Sequence, residues 1–308
     1  MRKVLIATEK PFADVAVNGI RSILESSGYQ LLLLEKYKDT AEVIQAVSEV
    51  DALIVRSDKV SSQVIEAASS LKVVVRAGAG FDNLDLEACS AKKIVAMNTP
   101  GQNSNAVAEL AVGLMVYMAR NNFSAGTGTE LKGKRLGIHA YGNVGKLVAA
   151  LGKGFGMEVS AFDPFVSEKE MVADGVTPVT DVKELYANCE YVSLHIPATP
   201  KTKSSIGYDL VSTMPKGGTL VNTARKEVID EAGLYKALLE RSDLKYASDI
   251  APDSYPKFRD SFGLRAFATP KKVGAETAEA NINAGLAAAR QIVDFFNNGD
   301  CKYQVNKF

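Results

Sequence analysis

The chain has 308 residues, 46% of them hydrophobic, which is enough to bury a core and suits two domains better than one. Its 36 Lys and Arg balance 36 Asp and Glu, which excludes a global field suited to nucleic acid or an anionic membrane. Three scattered cysteines, Cys89, Cys189 and Cys301, form neither a CxxC pair nor a Cys/His cluster, so no metal site and no disulfide framework is expected.

The first element is a strand-like run, Lys3–Thr8, with no long apolar leader before it. No stretch of eighteen apolar residues follows anywhere, so a soluble, cytoplasmic protein is expected. An amphipathic segment near Phe12–Ser27 comes next, then YQLLLL, a second helical segment, and the short apolar runs DALIV, KVVVRA and KIVAM. Asn103–Arg120 predicts a helix, opened by the capping residues Asn103, Ser104 and Asn105, that bridges two units. After the Gly126-Thr127-Gly128-Thr129 break a second series begins: RLGIHA, MEVSAF, YVSLH, GTLVNT and KYASDI, again with helical segments between. Ala275–Asn297 is helical in pattern, and Tyr303–Phe308 can return to the first domain. Short apolar strands separated by helices require a parallel sheet covered on both faces. The fold class is therefore α/β, with two doubly wound, Rossmann- or flavodoxin-like domains.

The sharpest local pattern is the strand Arg135–Ala140 running into Ala140-Tyr-Gly142-Asn143-Val144-Gly145 and a helix. A glycine turn of this kind aims backbone N–H groups and a helix N-terminus at a pyrophosphate. Gly142 permits close approach of the phosphates, and Gly145 permits tight packing of helix on strand. Ala140 stands where the usual fingerprint has its first glycine. The next strand ends at Asp163, eighteen residues after Gly145. An acidic residue there accepts from both ribose hydroxyls and repels a 2′-phosphate, which favours NAD over NADP. The other reading of Asp163-Pro164 is a simple turn opener.

Further motifs follow in a fixed order. They are Val55-Arg56-Ser57, Arg76-Ala-Gly78-Ala-Gly80-Phe-Asp82-Asn83-Leu-Asp85, Asn98-Thr-Pro-Gly101-Gln-Asn103 leading to Glu109, His195-Ile-Pro197, and Val221-Asn222-Thr-Ala-Arg225. With the glycine turn, this combination resembles the D-isomer-specific 2-hydroxyacid dehydrogenases over essentially the whole chain. The V-R-S tripeptide and the G-A-G-x-D-N-x-D loop are most similar to the short-form branch that oxidises 3-phosphoglycerate with NAD. The resemblance implies a discontinuous substrate domain, 1–102 with 282–308, an inserted NAD-binding domain, 103–281, and a homodimer. It implies that backbone N–H groups of Ala77, Gly78, Ala79 and Gly80 hold the substrate carboxylate, with Arg56, Ser57 and Asn103 near the substrate's polar end. Adjacent amides do form an anion nest, and an arginine offers phosphate a planar fork. Arg56 also admits the plainer reading of a solvated charge at a strand end. On the cofactor side the resemblance implies contacts from His195, Pro197, Thr223 and Ala224, and from Asp249 to the nicotinamide carboxamide.

Reducing a 2-keto acid requires that its carboxylate be held, its carbonyl polarised and a proton delivered to the developing alkoxide. Arg225 matches the family arginine that binds carboxylate and carbonyl together. The family's proton donor is a histidine held by a glutamate, and this chain departs from both. In Thr269-Pro270-Lys271-Lys272-Val273-Gly274, counting back from the downstream residues puts Lys272 at the histidine position, and counting forward puts Lys271 there. Ser254 falls at the glutamate position, with Asp253 beside it. A lysine, with an ordinary pKa near ~10.4, is a proton donor without carboxylate support, unlike a histidine near ~6.5. Lys272 is therefore read as the acid/base, as in a lysine-containing subgroup of that branch. Of the two histidines, His139 reads as a packed core imidazole and His195 as cofactor-proximal.

The expected activity is NAD-dependent interconversion of a phosphorylated 2-hydroxy acid, 3-phosphoglycerate, and its 2-keto acid, at the entry to serine synthesis. The alternatives are a hydroxypyruvate or glyoxylate reductase and a non-catalytic, NADH-responsive regulator.

Overall fold

The computed structural model describes residues 1–308. Two compact units divide the chain: 1–103 with 276–308, and 104–275. The return to the first unit thus begins at Glu276, ahead of the expected residue 282. The reason is local. Thr277 caps the helix Ala278–Asn298 through its hydroxyl (Ala280 N, 3.1 Å), and that helix packs on the helix Asp14–Ser26 and on the strands Ala52–Val55 and Val73–Arg76 of the first unit. A boundary at 282 would have cut it in its first turns.

In the first unit five parallel strands, β1 (Lys3–Thr8), β2 (Gln30–Glu35), β3 (Ala52–Val55), β4 (Val73–Arg76) and β5 (Val95–Asn98), run in the order β2-β1-β3-β4-β5. All five coincide with apolar runs of the sequence, because helices cover both faces of the sheet. The order reverses between β1 and β3, the place where such sheets bind ligands at their carboxyl ends. Register brings Ala7, Val55, Arg76 and Asn98 level, so Arg56 and Ala77 begin the loops at that edge. The helix pair closes one face, with Leu286 filling the space over Gly19 and Ile20 and Phe12 the space over Gly285. The last residues add an antiparallel segment to β5. Val305 N donates to Ala96 O (2.8 Å), and Asn306 bonds Ala96 N and Ile94 O through its side chain (both 2.9 Å).

In the second unit seven parallel strands follow: β6 (Arg135–His139), β7 (Glu158–Phe162), β8 (Thr177–Pro178), β9 (Tyr191–Leu194), β10 (Thr219–Asn222), β11 (Lys245–Ser248) and β12 (Ala266–Ala268). Their order is β12-β11-β10-β9-β6-β7-β8, with the switch between β6 and β9. The edge strands β8 and β12, of two and three residues, carry too little apolar run to be read from sequence. The helix Ser104–Ala119 belongs to this unit and is no bridge. Its residues Ala108, Ala111, Val112, Leu114, Met115 and Met118 are all buried in the second unit's core.

Candidate active site

At the carboxyl edge of the first sheet, the loop after β4 is opened by two in-chain bonds. Ala77 N continues the ladder to Val55 O (2.8 Å), and Gly78 N turns back to Arg76 O (2.9 Å). The nest expected over Ala77–Gly80 therefore narrows to Ala79 and Gly80, whose N–H groups donate to nothing in the chain. Carbonyls on the loop's other side hold its shape: Ala79 O accepts from Asn98 Nδ2 (2.6 Å) and Gly78 O from Thr99 N (3.0 Å).

Two guanidiniums flank this loop. Arg76 donates through Nε to Arg56 O (3.0 Å) and lies across Gly78, where a Cβ would collide with its Nη1. Both Nη groups of Arg76 lack an in-chain acceptor. Burial lowers its pKa, Asp82 opposes that, and the nearby Arg56 lowers it further. Arg56 is no freely solvated charge: Nη1 donates to Lys10 O (2.9 Å) and Pro11 O (3.1 Å), Nη2 to Asn281 Oδ1 (2.6 Å), and the group stacks over Phe12. Its Nε–H and one Nη2–H are left over. Ser57 is exposed, and Asn103 is half-buried. Arg76 was passed over in the sequence, where it reads as the end of an apolar strand. The glycine two residues later was the available signal.

The second sheet's switch point is built around the glycine turn. Ala140 adopts φ +80°, the left-handed conformation that the fingerprint's first glycine would take freely. Gly145 is obligatory, since a Cβ there would run into Ala140 O, whereas a Cβ on Gly142 would meet nothing. Gly142 begins the helix Asn143–Gly154 without a side-chain cap, so the first-turn N–H groups of Asn143, Val144 and Gly145 have no capping side chain to donate to. Asp163, directly after β7, is more than a turn opener. Its carboxylate takes Tyr141 N and Phe165 N (both 2.8 Å), which fixes it beside the turn with acceptor capacity left over. This open, uncapped helix end with a carboxylate one strand away fits an adenine dinucleotide without a 2′-phosphate.

Asn222, which the sequence reading did not single out, braces the turn after β10. Its Nδ2 donates to Arg225 O (2.9 Å) and its Oδ1 accepts from Ala224 N (3.0 Å). Arg225 itself is exposed and spends one N–H on Ala224 O (2.9 Å), leaving its fork for a ligand. Thr223 is buried with its hydroxyl unbonded, as is Nε2 of the half-buried His195, while Pro197 is exposed. Burial pushes His195 down to about 3, with His139 adding to the effect, so its imidazole is neutral. His139 is a core residue against Tyr186 (Nδ1 to hydroxyl, 3.1 Å), likewise pushed down to about 4 by burial.

Lys271 and Lys272 are both exposed on one short span held by a single buried carboxylate. Asp249 accepts from Thr269 Oγ1 (3.0 Å) and Val273 N (2.8 Å) on Oδ1, and from Gly274 N (2.8 Å) on Oδ2. Fully buried, Asp249 serves first as a clamp on the lysine loop; the resemblance had suggested a carboxamide contact. Of the residues at the missing glutamate, Asp253 is turned to Lys226 (2.5 Å). Ser254 donates through N (2.9 Å) and Oγ (2.5 Å) to Glu231, which also takes Asp253 N (2.7 Å). Glu231 is the carboxylate that organises this turn, and the sequence reading missed it. No three His, Cys, Asp or Glu side chains are grouped to hold a metal, and no helix is long and apolar enough to cross a membrane.

A parallel sheet with an uncapped helix end and a strand-end aspartate at its switch point defines an NAD-binding dehydrogenase unit. Residues 110–264 match the NAD binding domain of the D-isomer specific 2-hydroxyacid dehydrogenases, and the chain belongs to that family. Its identity to a Thermotoga maritima hydroxypyruvate reductase is 34% over 85% of this chain and 90% of the relative. To a Methanocaldococcus jannaschii D-3-phosphoglycerate dehydrogenase it is 38%, over 64% of this chain and 40% of that longer protein. Among solved structures, the NAD⁺-bound 3-phosphoglycerate dehydrogenase of Entamoeba histolytica is 50% identical, with a TM-score of 0.84 over 100% of this chain and 99% of the other.

Proposed function

We propose that this protein interconverts 3-phosphoglycerate and 3-phosphohydroxypyruvate with NAD, the oxidation that opens serine synthesis. The observation that carries this reading is the Arg56–Arg76 pair beside the free N–H groups of Ala79 and Gly80. Two guanidiniums exceed what a lone carboxylate needs and suit a substrate with a second, doubly charged end.

The Ala79 and Gly80 amides take the carboxylate, and the Arg56–Arg76 pair takes the phosphate, with Ser57 and Asn103 at the polar end. Asn143, Val144 and Gly145 would hold the pyrophosphate of NAD and Asp163 its ribose, with His195, Pro197, Thr223 and Ala224 as its further contacts. NAD, when bound, accepts or supplies the hydride at C2. Arg225 draws electron density from the C2 oxygen and holds the carboxylate in plane. In reduction, the ammonium of Lys272 gives its Nζ proton to that oxygen as it becomes a hydroxyl. In oxidation, the neutral amine takes the proton back. Lysine needs no carboxylate partner to be a donor near neutral pH, which accounts for Ser254 where the family has glutamate. By family resemblance the protein is a cytoplasmic homodimer joined through its cofactor units, which light scattering would test.

The deciding experiment is NADH oxidation with 3-phosphohydroxypyruvate, hydroxypyruvate and glyoxylate side by side. The phosphorylated substrate is expected to have the highest kcat/KM, by about tenfold or more. A preference for hydroxypyruvate would favour a reductase like the Thermotoga relative, and no turnover with any of them would favour a regulator.

A further inference from the structure

Two residues beyond Arg56 stands a carboxylate that the reaction does not use. Asp58 is 7% exposed, and every bond of its side chain goes to a different loop at the carboxyl edge of the first sheet. Oδ1 accepts from Glu9 N (2.7 Å), in the loop after β1, and from the Tyr37 hydroxyl (2.9 Å), in the loop after β2. Oδ2 accepts from Arg56 N (3.1 Å), directly after β3. Asn83 then joins the loop after β4 to the same point, donating from Nδ2 to Asp58 O (2.7 Å) and Arg56 O (3.3 Å).

These bonds reach the Arg56 guanidinium from both of its ends. Asp58 holds the amide from which the side chain springs. By holding Glu9 N, it also fixes the start of the loop whose carbonyls, Lys10 O and Pro11 O, receive the guanidinium. Arg56 O in turn receives Nε of Arg76, so the second guanidinium is oriented through the same peptide. With three donors, the buried carboxylate is satisfied inward and is not offered to an anionic ligand.

We infer that Asp58 is the positioning residue for the phosphate end of the substrate, setting both Arg56 and Arg76 through the Arg56 peptide and the Glu9–Pro11 loop. The inference rests on the proposed preference for a phosphorylated substrate. It assigns Asp58 selectivity rather than chemistry: its loss should loosen the phosphate end while leaving hydride and proton transfer intact.

The test measures kcat and KM for 3-phosphohydroxypyruvate and hydroxypyruvate in wild type, Asp58→Ala and Asp58→Asn, with thermal melts of each. Wild type should prefer the phosphorylated substrate; absence of that preference overturns the functional reading, and the role of Asp58 falls with it. Given that preference, Asp58→Ala should raise KM for 3-phosphohydroxypyruvate by about tenfold, with KM for hydroxypyruvate and both kcat values within about twofold. Asp58→Asn keeps an acceptor for Glu9 N and Tyr37 but turns an amide toward Arg56 N, so a rise of about threefold is expected. Equal rises for both substrates, or none in a folded variant, overturn the inference. Should the alanine variant not fold, the asparagine variant decides it alone, an unchanged phosphorylated-to-unphosphorylated KM ratio counting against Asp58.

Discussion

Arg76 lies across Gly78, and its guanidinium occupies the space that a Cβ on that glycine would require. Gly78 also has φ +151°, a conformation costly to any other residue. Gly78→Ala should therefore expel the guanidinium and add backbone strain of about 1–3 kcal/mol. The expected kinetic result is a KM for 3-phosphohydroxypyruvate raised by about tenfold or more, with a lowered melting temperature. An unchanged KM would detach Arg76 from substrate binding.

Ala140 bears the opposite relationship to its turn, a side chain where glycine belongs. Left-handed backbone costs an alanine roughly 1–2 kcal/mol, and glycine gives back about 0.4–1 kcal/mol through the unfolded chain. Ala140→Gly is expected to stabilise the protein by a net of about 0.5–1 kcal/mol. Urea unfolding in the absence of cofactor measures this, and destabilisation would mean that the Ala140 methyl packs usefully against its neighbours.

Lys272→Ala should lower kcat by about 10²–10⁴ while NADH binding, followed by fluorescence, stays close to wild type. Lys271→Ala should leave turnover within a fewfold. The reverse pattern would move the proton donor to Lys271, which shares the span clamped by Asp249.

The two histidines set an acid limit on stability. Burial holds His139 at about 4 and His195 at about 3 in the fold, below the ordinary ~6.5 of the unfolded chain. Above ~6.5 both states carry neutral imidazoles and stability does not depend on them. Between ~6.5 and about 4 the unfolded chain binds two protons that the fold refuses, so stability falls as pH falls. Each histidine contributes a slope of about 1.4 kcal/mol per pH unit in that window. His195→Asn should remove about half of the combined slope in urea titrations from pH 7 to 4.5. An identical slope in the variant would show that His195 titrates normally in the fold.

Much of this was legible in the sequence because it is local. β1 and β6 are apolar runs ended by polar loops, and the Gly142–Gly145 turn with Asp163 needs only spacing. Arg225 and the Ala77–Gly80 loop likewise sit within a few residues of the strands that aim them. What escaped depends on partners far apart in sequence. Asp58 reads as one charge in a polar loop until the loops after β1 and β2 bring Glu9 and Tyr37 to it, and Glu231 reads as an ordinary first-turn acid until Ser254 folds back on it. The choice between Lys271 and Lys272 stayed open for another reason. One buried carboxylate fastens the loop at Thr269 and again at Val273 and Gly274, and such a span tolerates a residue more or less between its fastenings.

The helix Ala278–Asn298 gives the two units different histories on the ribosome. Ala284, Ala288 and Ile292 are buried in the same core as Val4, Ile6 and Ile20, so residues 1–103 cannot seal their interior until residues 278–298 have been made. The unit spanning 104–275 is contiguous and has all its strands as soon as it emerges. Synthesis therefore delivers a finished 104–275 module while the module begun by residues 1–103 still waits, its apolar sheet face exposed, for the helix Ala278–Asn298. During that interval chaperone demand and aggregation should concentrate on residues 1–103, and truncations within 278–298 should harm that module alone.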